Sequence, residues 1–384
     1  MRRLQGNKPA GDLSNKVKSA KMECRQSQIV SGADMIARGA MYAGVRFYAG
    51  YPITPASTIY TAMMSGLPKL GGIAIGAPDE ISALCYCVGA SLRGMKAMTA
   101  TSGPGFTLMI ETIGYALMTE TPVVIALAQR LGPSTGAATQ SAQGDILLAE
   151  YCISGGYPLP VICPTRPSDA YEAVIRAVNI AETLRTPVIL LTEKELTMTW
   201  ETVDLARLPY LEVKDRPMFH RDEPYLTYGF KQPYDPPLFT PVGGPFKVTV
   251  TGSAHNKKGE LIKDGPDAVA MLGHLDVKIR HHMPEITWVR YDPQEGSETL
   301  VISYGVTDRA ARAAVQTARM RGLAVSHLTI YSLFPVPESI LMSSLSGIKR
   351  VIIPEENISG LYRSVLLPHL KAGEVIGINK VASL

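Results

Sequence analysis

The 384-residue chain is 46% hydrophobic and 19% charged, a balance that excludes disorder and coiled coil and leaves length for two or three domains with real cores. Its net charge of +4 is unevenly placed: residues 1–25 hold seven basic and two acidic side chains, so that segment carries +5 and the remainder −1. A nucleic-acid or membrane surface is therefore not implied for the body of the protein, and the basic segment reads as an arm, either solvated or docked on an acidic partner.

The arm lacks the apolar stretch of a secretory signal, and no run of about 20 apolar residues suggests a membrane span, so a cytoplasmic protein is expected. From Gln26 onward helical segments alternate with short apolar runs flanked by Gly or Pro. Val45–Tyr51, Gly72–Ile75, Lys96–Thr101, Pro122–Ala128, Leu159–Cys163 and Pro187–Leu191 read as buried strands. Between the last two, Ala170, Ala173, Val174, Ala177, Val178, Ala181 and Leu184 have helical spacing, with Ser168 as the expected N-cap. Strands separated by helices predict a doubly wound parallel sheet over residues 26–195.

Ligands of such sheets sit beyond the carboxyl ends of the strands, which directs attention to the loops there. In Gly50-Tyr51-Pro52-Ile53-Thr54-Pro55, Thr54 and Pro55 suit an N-cap and first helical residue, or place a hydroxyl and a helix start toward an anion or carbonyl. Pro78-Asp79-Glu80 opens a buried helix, where the acids satisfy the helix dipole or meet a ligand nitrogen in a desolvated cleft. Gly103-Pro104-Gly105-Phe106 exposes backbone for close approach. Arg130 ends an apolar strand, either as a structural ion pair or as a fork for a carboxylate.

Residues 196–297 are rich in Pro and Tyr and read as a linker with partial structure, including a short strand pair turning at Asn256–Gly259. A second alternating block occupies 298–384: strand Thr299–Ser303, helix Arg309–Arg321, strand Ala324–Ile330, helix Pro337–Leu345 and strand Arg350–Ile353. The cysteines at 24, 85, 87, 152 and 163 form no C-x-x-C pair, which favours buried thiols over zinc or an iron–sulfur cluster held by this chain, and no metal site is expected. No G-x-G-x-x-G follows a strand, and neither G-x-x-x-x-G-K-[ST] nor G-x-S-x-G occurs. Dinucleotide dehydrogenase, nucleoside triphosphatase and serine hydrolase thus lose their main support.

Taken together, G-Y-P-I-T-P-A-S (50–57), D-E-I (79–81), T-S-G-P-G-F-x-L-M-x-E (101–111), Q-R-x-G-P-S-T-G (129–136) and Q-G-D (143–145) resemble the α subunit of 2-oxoacid:ferredoxin oxidoreductases, most closely the 2-oxoglutarate type. S-Y-G (303–305), F-P-V-P (334–337) and E-E-N-I-S-G (355–360) are similar to its second domain. The resemblance implies an α/β chain with a doubly wound thiamin diphosphate pyrimidine-binding domain and a smaller transketolase C-terminal-like domain. It implies an enzyme that oxidatively decarboxylates a 2-oxoacid to its acyl-CoA with coenzyme A as co-substrate. Thiamin diphosphate would be shared with a β subunit holding Mg2+ and a [4Fe-4S] cluster; gamma and ferredoxin-like subunits and ferredoxin itself complete the implied partners.

By the same resemblance Glu80 hydrogen-bonds the aminopyrimidine ring nitrogen, and Tyr51, Pro52, Ile53, Gly103, Pro104, Gly105 and Phe106 line the cofactor. Thr54 lies near the substrate carbonyl and Arg130 holds the 2-oxoacid carboxylate. Ser134 and Thr135 suit a distal carboxylate, hence 2-oxoglutarate, with branched-chain or aromatic 2-oxoacids as the alternative. A dehydrogenase E1 β chain or transketolase-like protein, and a non-catalytic scaffold subunit, are the competing readings.

Overall fold

The computed structural model describes residues 27–220 and 224–381, so the basic arm and Cys24 lie outside the described residues. The first layer begins with β1 (Ser27–Ser31), α1 (Gly32–Tyr42), β2 (Phe47–Gly50), α2 (Ser57–Gly66) and β3 (Ile73–Gly76). It continues with α3 (Glu80–Leu92), β4 (Ala97–Thr101), α4 (Gly103–Met118), β5 (Val123–Gln129), α5 (Ile146–Glu150) and β6 (Val161–Ile162). Helix α6 (Pro167–Leu184), β7 (Pro187–Glu193), α7 (Lys194–Met198) and β8 (Trp200–Asp204) close it. After a strap without regular strands come α8 (Pro266–His281), α9 (Met283–Ile286), β9 (Val289–Asp292) and β10 (Thr299–Ser303). The chain ends with α10 (Thr307–Met320), β11 (Ser326–Ile330), β12 (Ser332–Phe334), α11 (Glu338–Ser344), β13 (Arg350–Glu355), α12 (Leu361–Leu366) and β14 (Glu374–Asn379).

The main sheet has the order β12-β6-β7-β5-β4-β2-β3 and is parallel except for β12, which runs antiparallel to β6. Strands β4, β5 and β7 are buried along their whole length, as continuous apolar runs covered on both faces must be. The chain passes from β2 outward to β3 and returns across β2 to β4, so the order reverses between β2 and β4. That reversal opens a crevice beyond their carboxyl ends. The second sheet, β14-β13-β10-β11-β9, is parallel apart from β9. Its core, including Leu300, Ile302 and Tyr304, is continuous with that of the main sheet.

Several local expectations are corrected. Helix α2 starts at Ser57 with Ala56 as N-cap, so Thr54 caps no helix. Helix α6 starts at Pro167 with Arg166 as N-cap, leaving Ser168 inside the first turn. There the stabilising bond runs instead from Thr165 Oγ1 to Asp169 Oδ2, at 2.6 Å. Pro78 precedes the N-cap of α3, which is Asp79, rather than opening the helix. Cys87, Cys152 and Cys163 are buried, but Cys85 is exposed. The stretch read as a linker supplies α8 and the edge strand β9, while the strand pair expected around Asn256–Gly259 is reduced to one antiparallel bridge, His255 to Leu261.

The strap is fastened to the main sheet by buried charge. Arg216 grips Glu182 of α6 through two 2.7 Å bonds, Nε to Oε2 and Nη2 to Oε1, and donates from Nη1 to the Ser91 carbonyl at 2.7 Å. Glu120, after α4, meets Lys278 and His274 of α8; although burial alone would raise its pKa, the Lys278 ammonium and the His274 ring hold it well below the usual carboxylate range. Removing one partner of a buried pair strands the other charge, at a cost of about 3–5 kcal/mol. Arg216→Met is therefore expected to lower unfolding stability by about that amount, read as the shift of the urea midpoint. An unchanged midpoint would show that the pair does not fasten the strap.

Candidate active-site crevice

Each loop at the reversal point presents a different kind of group. After β2, Tyr51 and Pro52 are exposed, Ile53 and Thr54 half-buried. The Thr54 hydroxyl makes no hydrogen bond among the described residues, whereas its backbone carbonyl accepts from Arg130 Nη1 at 2.6 Å. After β3, Asp79 caps α3 by accepting from Ser82 N at 2.7 Å, and hydrogen bonds from Ser82 lower its pKa. Asp79 is thereby committed to the helix, and Glu80, the first helical residue, is left as the available acid.

Glu80 is only 6% exposed, yet its carboxylate has no hydrogen-bond partner among the described residues. It packs on the first turn of α4. A Cβ added to Gly105 would sit 2.5 Å from Glu80 Oε1 and 2.3 Å from Thr101 Oγ1. Glycine at 105 is therefore what allows the carboxylate to lie against the helix start. Ser102 Oγ, at the N-cap of α4, is buried and also without a partner.

Arg130 emerges from the end of β5 with 6% exposure; besides the bond to Thr54, its Nε is buried and unpartnered. Beside it lies Asp145, which the sequence reading overlooked although Q-G-D was among its motifs. Its backbone N–H donates to Gln129 Oε1 at 2.9 Å, and its carboxylate lies flat on Gly103, where a Cβ would stand 2.9 Å from Oδ1. Asp145 Oδ2 has no partner, and burial pushes its pKa up to about 6 against the opposing pull of Arg130. The first turn of α4 thus separates two buried carboxyl groups, Glu80 and Asp145, each seated on a glycine.

Ser134 and Thr135 are not gathered into this cluster. Both are exposed on the loop beyond Arg130, and no hydrogen bond links them to Arg130 or Thr54. Gly136 has φ +52 and a Cβ there would fall 1.8 Å from the Leu131 carbonyl oxygen, so this tight loop requires glycine.

The segment leading to Asp145 is held by the second sheet. Gln143 N donates to the Glu356 carbonyl at 2.7 Å, Glu356 N to Gln143 Oε1 at 2.9 Å, and Asn357 Nδ2 to the Gln143 carbonyl at 3.1 Å. Ser141 Oγ reaches Glu356 Oε2 at 2.8 Å. Gln143 Nε2 also donates to Glu193 Oε1 at 3.0 Å; burial raises the Glu193 pKa to about 7, opposed by that bond and by the Val306 N–H. Glu356 and Asn357 of the E-E-N motif therefore clamp the Q-G-D segment, a role invisible in the sequence because the partners lie more than 200 positions apart.

Comparison with known proteins places the chain in a family. Residues 38–271 match the family described as pyruvate flavodoxin/ferredoxin oxidoreductase, thiamine diphosphate-binding, and residues 297–376 match pyruvate:ferredoxin oxidoreductase core domain II. The chain is 35% identical over 356 residues to 2-oxoglutarate synthase subunit KorA of Methanocaldococcus jannaschii, covering 92% of this chain and 95% of that one. Among solved structures it resembles the 2-oxoglutarate:ferredoxin oxidoreductase of Magnetococcus marinus, determined with 2-oxoglutarate, coenzyme A and succinyl-CoA bound. The TM-score is 0.88 at 28% identity, and the match covers 94% of this chain but 63% of that one. A split-gene transketolase, inactive β4 tetramer, shares the fold with a TM-score of 0.52 at 14% identity.

Proposed function

The chain belongs to the pyruvate flavodoxin/ferredoxin oxidoreductase family, and from that premise we propose that it is the α subunit of a 2-oxoacid:ferredoxin oxidoreductase acting on 2-oxoglutarate. The observation that carries this reading is the pair of buried, complementary groups just beyond the carboxyl ends of β3 and β5: Glu80, a carboxylate without an internal partner among the described residues, and Arg130, a guanidinium with an unused Nε. The residues present fit thiamin diphosphate, since a pyrimidine ring nitrogen would supply the partner Glu80 lacks and Gly103 and Gly105 present backbone where side chains would intrude.

When bound, that cofactor supplies the carbanion chemistry that cleaves a carboxyl group from a 2-oxoacid. The chain's own residues bind and orient. Glu80 holds a proton at the ring nitrogen, in a setting where water is largely excluded. Arg130 takes the 2-oxoacid carboxylate, fixed in direction by its bond to the Thr54 carbonyl, while the Thr54 hydroxyl faces the keto oxygen. Tyr51, Pro52, Ile53 and Pro104 offer the apolar wall, whereas Phe106, expected there from the sequence, is fully buried in the core behind the first turn of α4. Ser134 and Thr135 lie on the loop that would reach a distal carboxylate.

The balanced reaction converts 2-oxoglutarate and coenzyme A to succinyl-CoA and carbon dioxide, with two electrons leaving for ferredoxin and one proton, from the coenzyme A thiol, released. This chain has no cluster of three or more His, Cys, Asp or Glu suited to a metal among its described residues. The proposal assigns Mg2+, the diphosphate and a [4Fe-4S] cluster to a β subunit, accompanied by gamma and ferredoxin-like subunits. The exposed side chains Ile81 and Tyr86 on α3 and Leu108 on α4 offer apolar surface such a partner would cover. No helix among the described residues is long and apolar enough to cross a membrane.

The test is viologen reduction by the purified complex with a panel of 2-oxoacids. Coenzyme A-dependent reduction with the highest kcat/KM for 2-oxoglutarate is expected. A preference for branched-chain or aromatic 2-oxoacids would replace the substrate, and undiminished turnover by complex lacking this chain would overturn the catalytic assignment.

A further inference from the structure

We infer that Asp145 is a positioning residue that balances the charge of the carboxylate-binding arginine, serving as its counter-ion when the crevice is empty and as a proton acceptor when a 2-oxoacid arrives. The inference rests on the reading that Arg130 receives the substrate carboxylate.

The geometry is that of two buried, opposite groups kept close without touching. Asp145 lowers the electrostatic cost of the buried guanidinium, and Arg130 in turn pulls down the Asp145 pKa, yet no ion pair joins them among the described residues. Each keeps an unpartnered buried atom, Nε on Arg130 and Oδ2 on Asp145. Three restraints prevent collapse into a salt bridge: the Gln129 Oε1 bond to the Asp145 N–H, the Gly103 backbone beneath its carboxylate, and the clamp of residues 356 and 357 on Gln143.

A substrate carboxylate on Arg130 would place a second negative charge beside Asp145, and the favourable response is uptake of one solvent proton on Oδ2. The free carboxyl, at about 6, is poised for this. The sign follows. An approaching anion raises the Asp145 pKa, so binding takes up a proton above about pH 6 and weakens as pH rises. The other charged groups around this segment are Glu80 across the turn of α4, Glu150 along α5 and, through Gln143, Glu193 and Glu356. Only a change at position 145 isolates the Asp145 contribution from theirs.

The experiment uses the assembled complex and compares the wild type with Asp145→Asn, which keeps size and shape but cannot titrate. In the wild type, KM for 2-oxoglutarate should rise about 10- to 100-fold from pH 6 to pH 8, as two like charges a few ångströms apart require. In Asp145→Asn the profile should be nearly flat and KM at pH 8 lower than wild type. Titration calorimetry of 2-oxoglutarate into complex freed of thiamin diphosphate, at pH 7 in two buffers of different ionisation enthalpy, should show proton uptake in the wild type and none in the variant. Parallel KM profiles, or equal proton uptake, would overturn the inference. Arg130→Ala tests the underlying reading separately, because an unchanged KM there removes the carboxylate clamp whatever Asp145 does.

Discussion

Glu80→Gln should leave the complex assembled and almost inactive, with kcat/KM for 2-oxoacid-dependent viologen reduction down by about 10²- to 10⁴-fold. Glutamine fills the same volume and still offers hydrogen bonds, but it cannot carry the proton that a ring nitrogen must share. The site is arranged so that no neighbour takes over: Asp79 is spent on Ser82 at the helix cap, and Asp145 lies on the far side of the α4 turn. Gly105→Ala provides an independent route to the same outcome. In an ordinary helix this change stabilises by about 0.5–1 kcal/mol. Here the new methyl would meet Thr101 Oγ1 and Glu80 within 2.6 Å, so Glu80 must swing away. Activity lost in both variants is the expected combination, with a thermal melt near wild type for Glu80→Gln and a lowered one for Gly105→Ala, whose methyl also crowds the buried Thr101. Full activity of Glu80→Gln would remove Glu80 from the chemistry.

The central strands were legible because they are short apolar runs with Gly or Pro at their ends, and burial on both faces leaves no polar residue to blur them. The edge strands were not. β1, β8 and β9 are short and partly exposed, so their alternation is carried by only two or three residues. Helix α8 has Ala268, Met271, Leu275 and Ile279 on its inner face, but His274 and Lys278 share that face and disguise it. Those two are tolerated inside because Glu120 waits at the end of α4, a contact across more than 150 positions. The same limit governed the site. Glu80 and Arg130 stand directly at strand ends, where position alone marks them. Asp145 is the residue just before a five-residue helix, at the end of a loop, and its burial depends on a glycine 42 residues earlier and on a clamp from the second sheet.

Arg130→Ala is expected to raise KM for the 2-oxoacid by about 10²-fold or more while leaving KM for coenzyme A unchanged. A charge-assisted bond is worth about 1.5–3 kcal/mol, and each 1.4 kcal/mol is tenfold in affinity, so loss of a two-pronged contact reaches that range. The truncation also takes the donor from the Thr54 carbonyl, which frees the 50–56 loop, and it leaves Asp145 buried without its nearby cation. Some loss in kcat should accompany the KM effect, because the loop that Arg130 braces carries the hydroxyl assigned to the keto oxygen. Arg130→Lys separates the two contributions. Lysine restores the charge but not the planar fork, so it should recover part of the binding while the arginine's directional bond to Thr54 stays lost. A KM within twofold of wild type in Arg130→Ala would show that the carboxylate is held elsewhere, and the exposed Ser134–Thr135 loop would then be the next place to look.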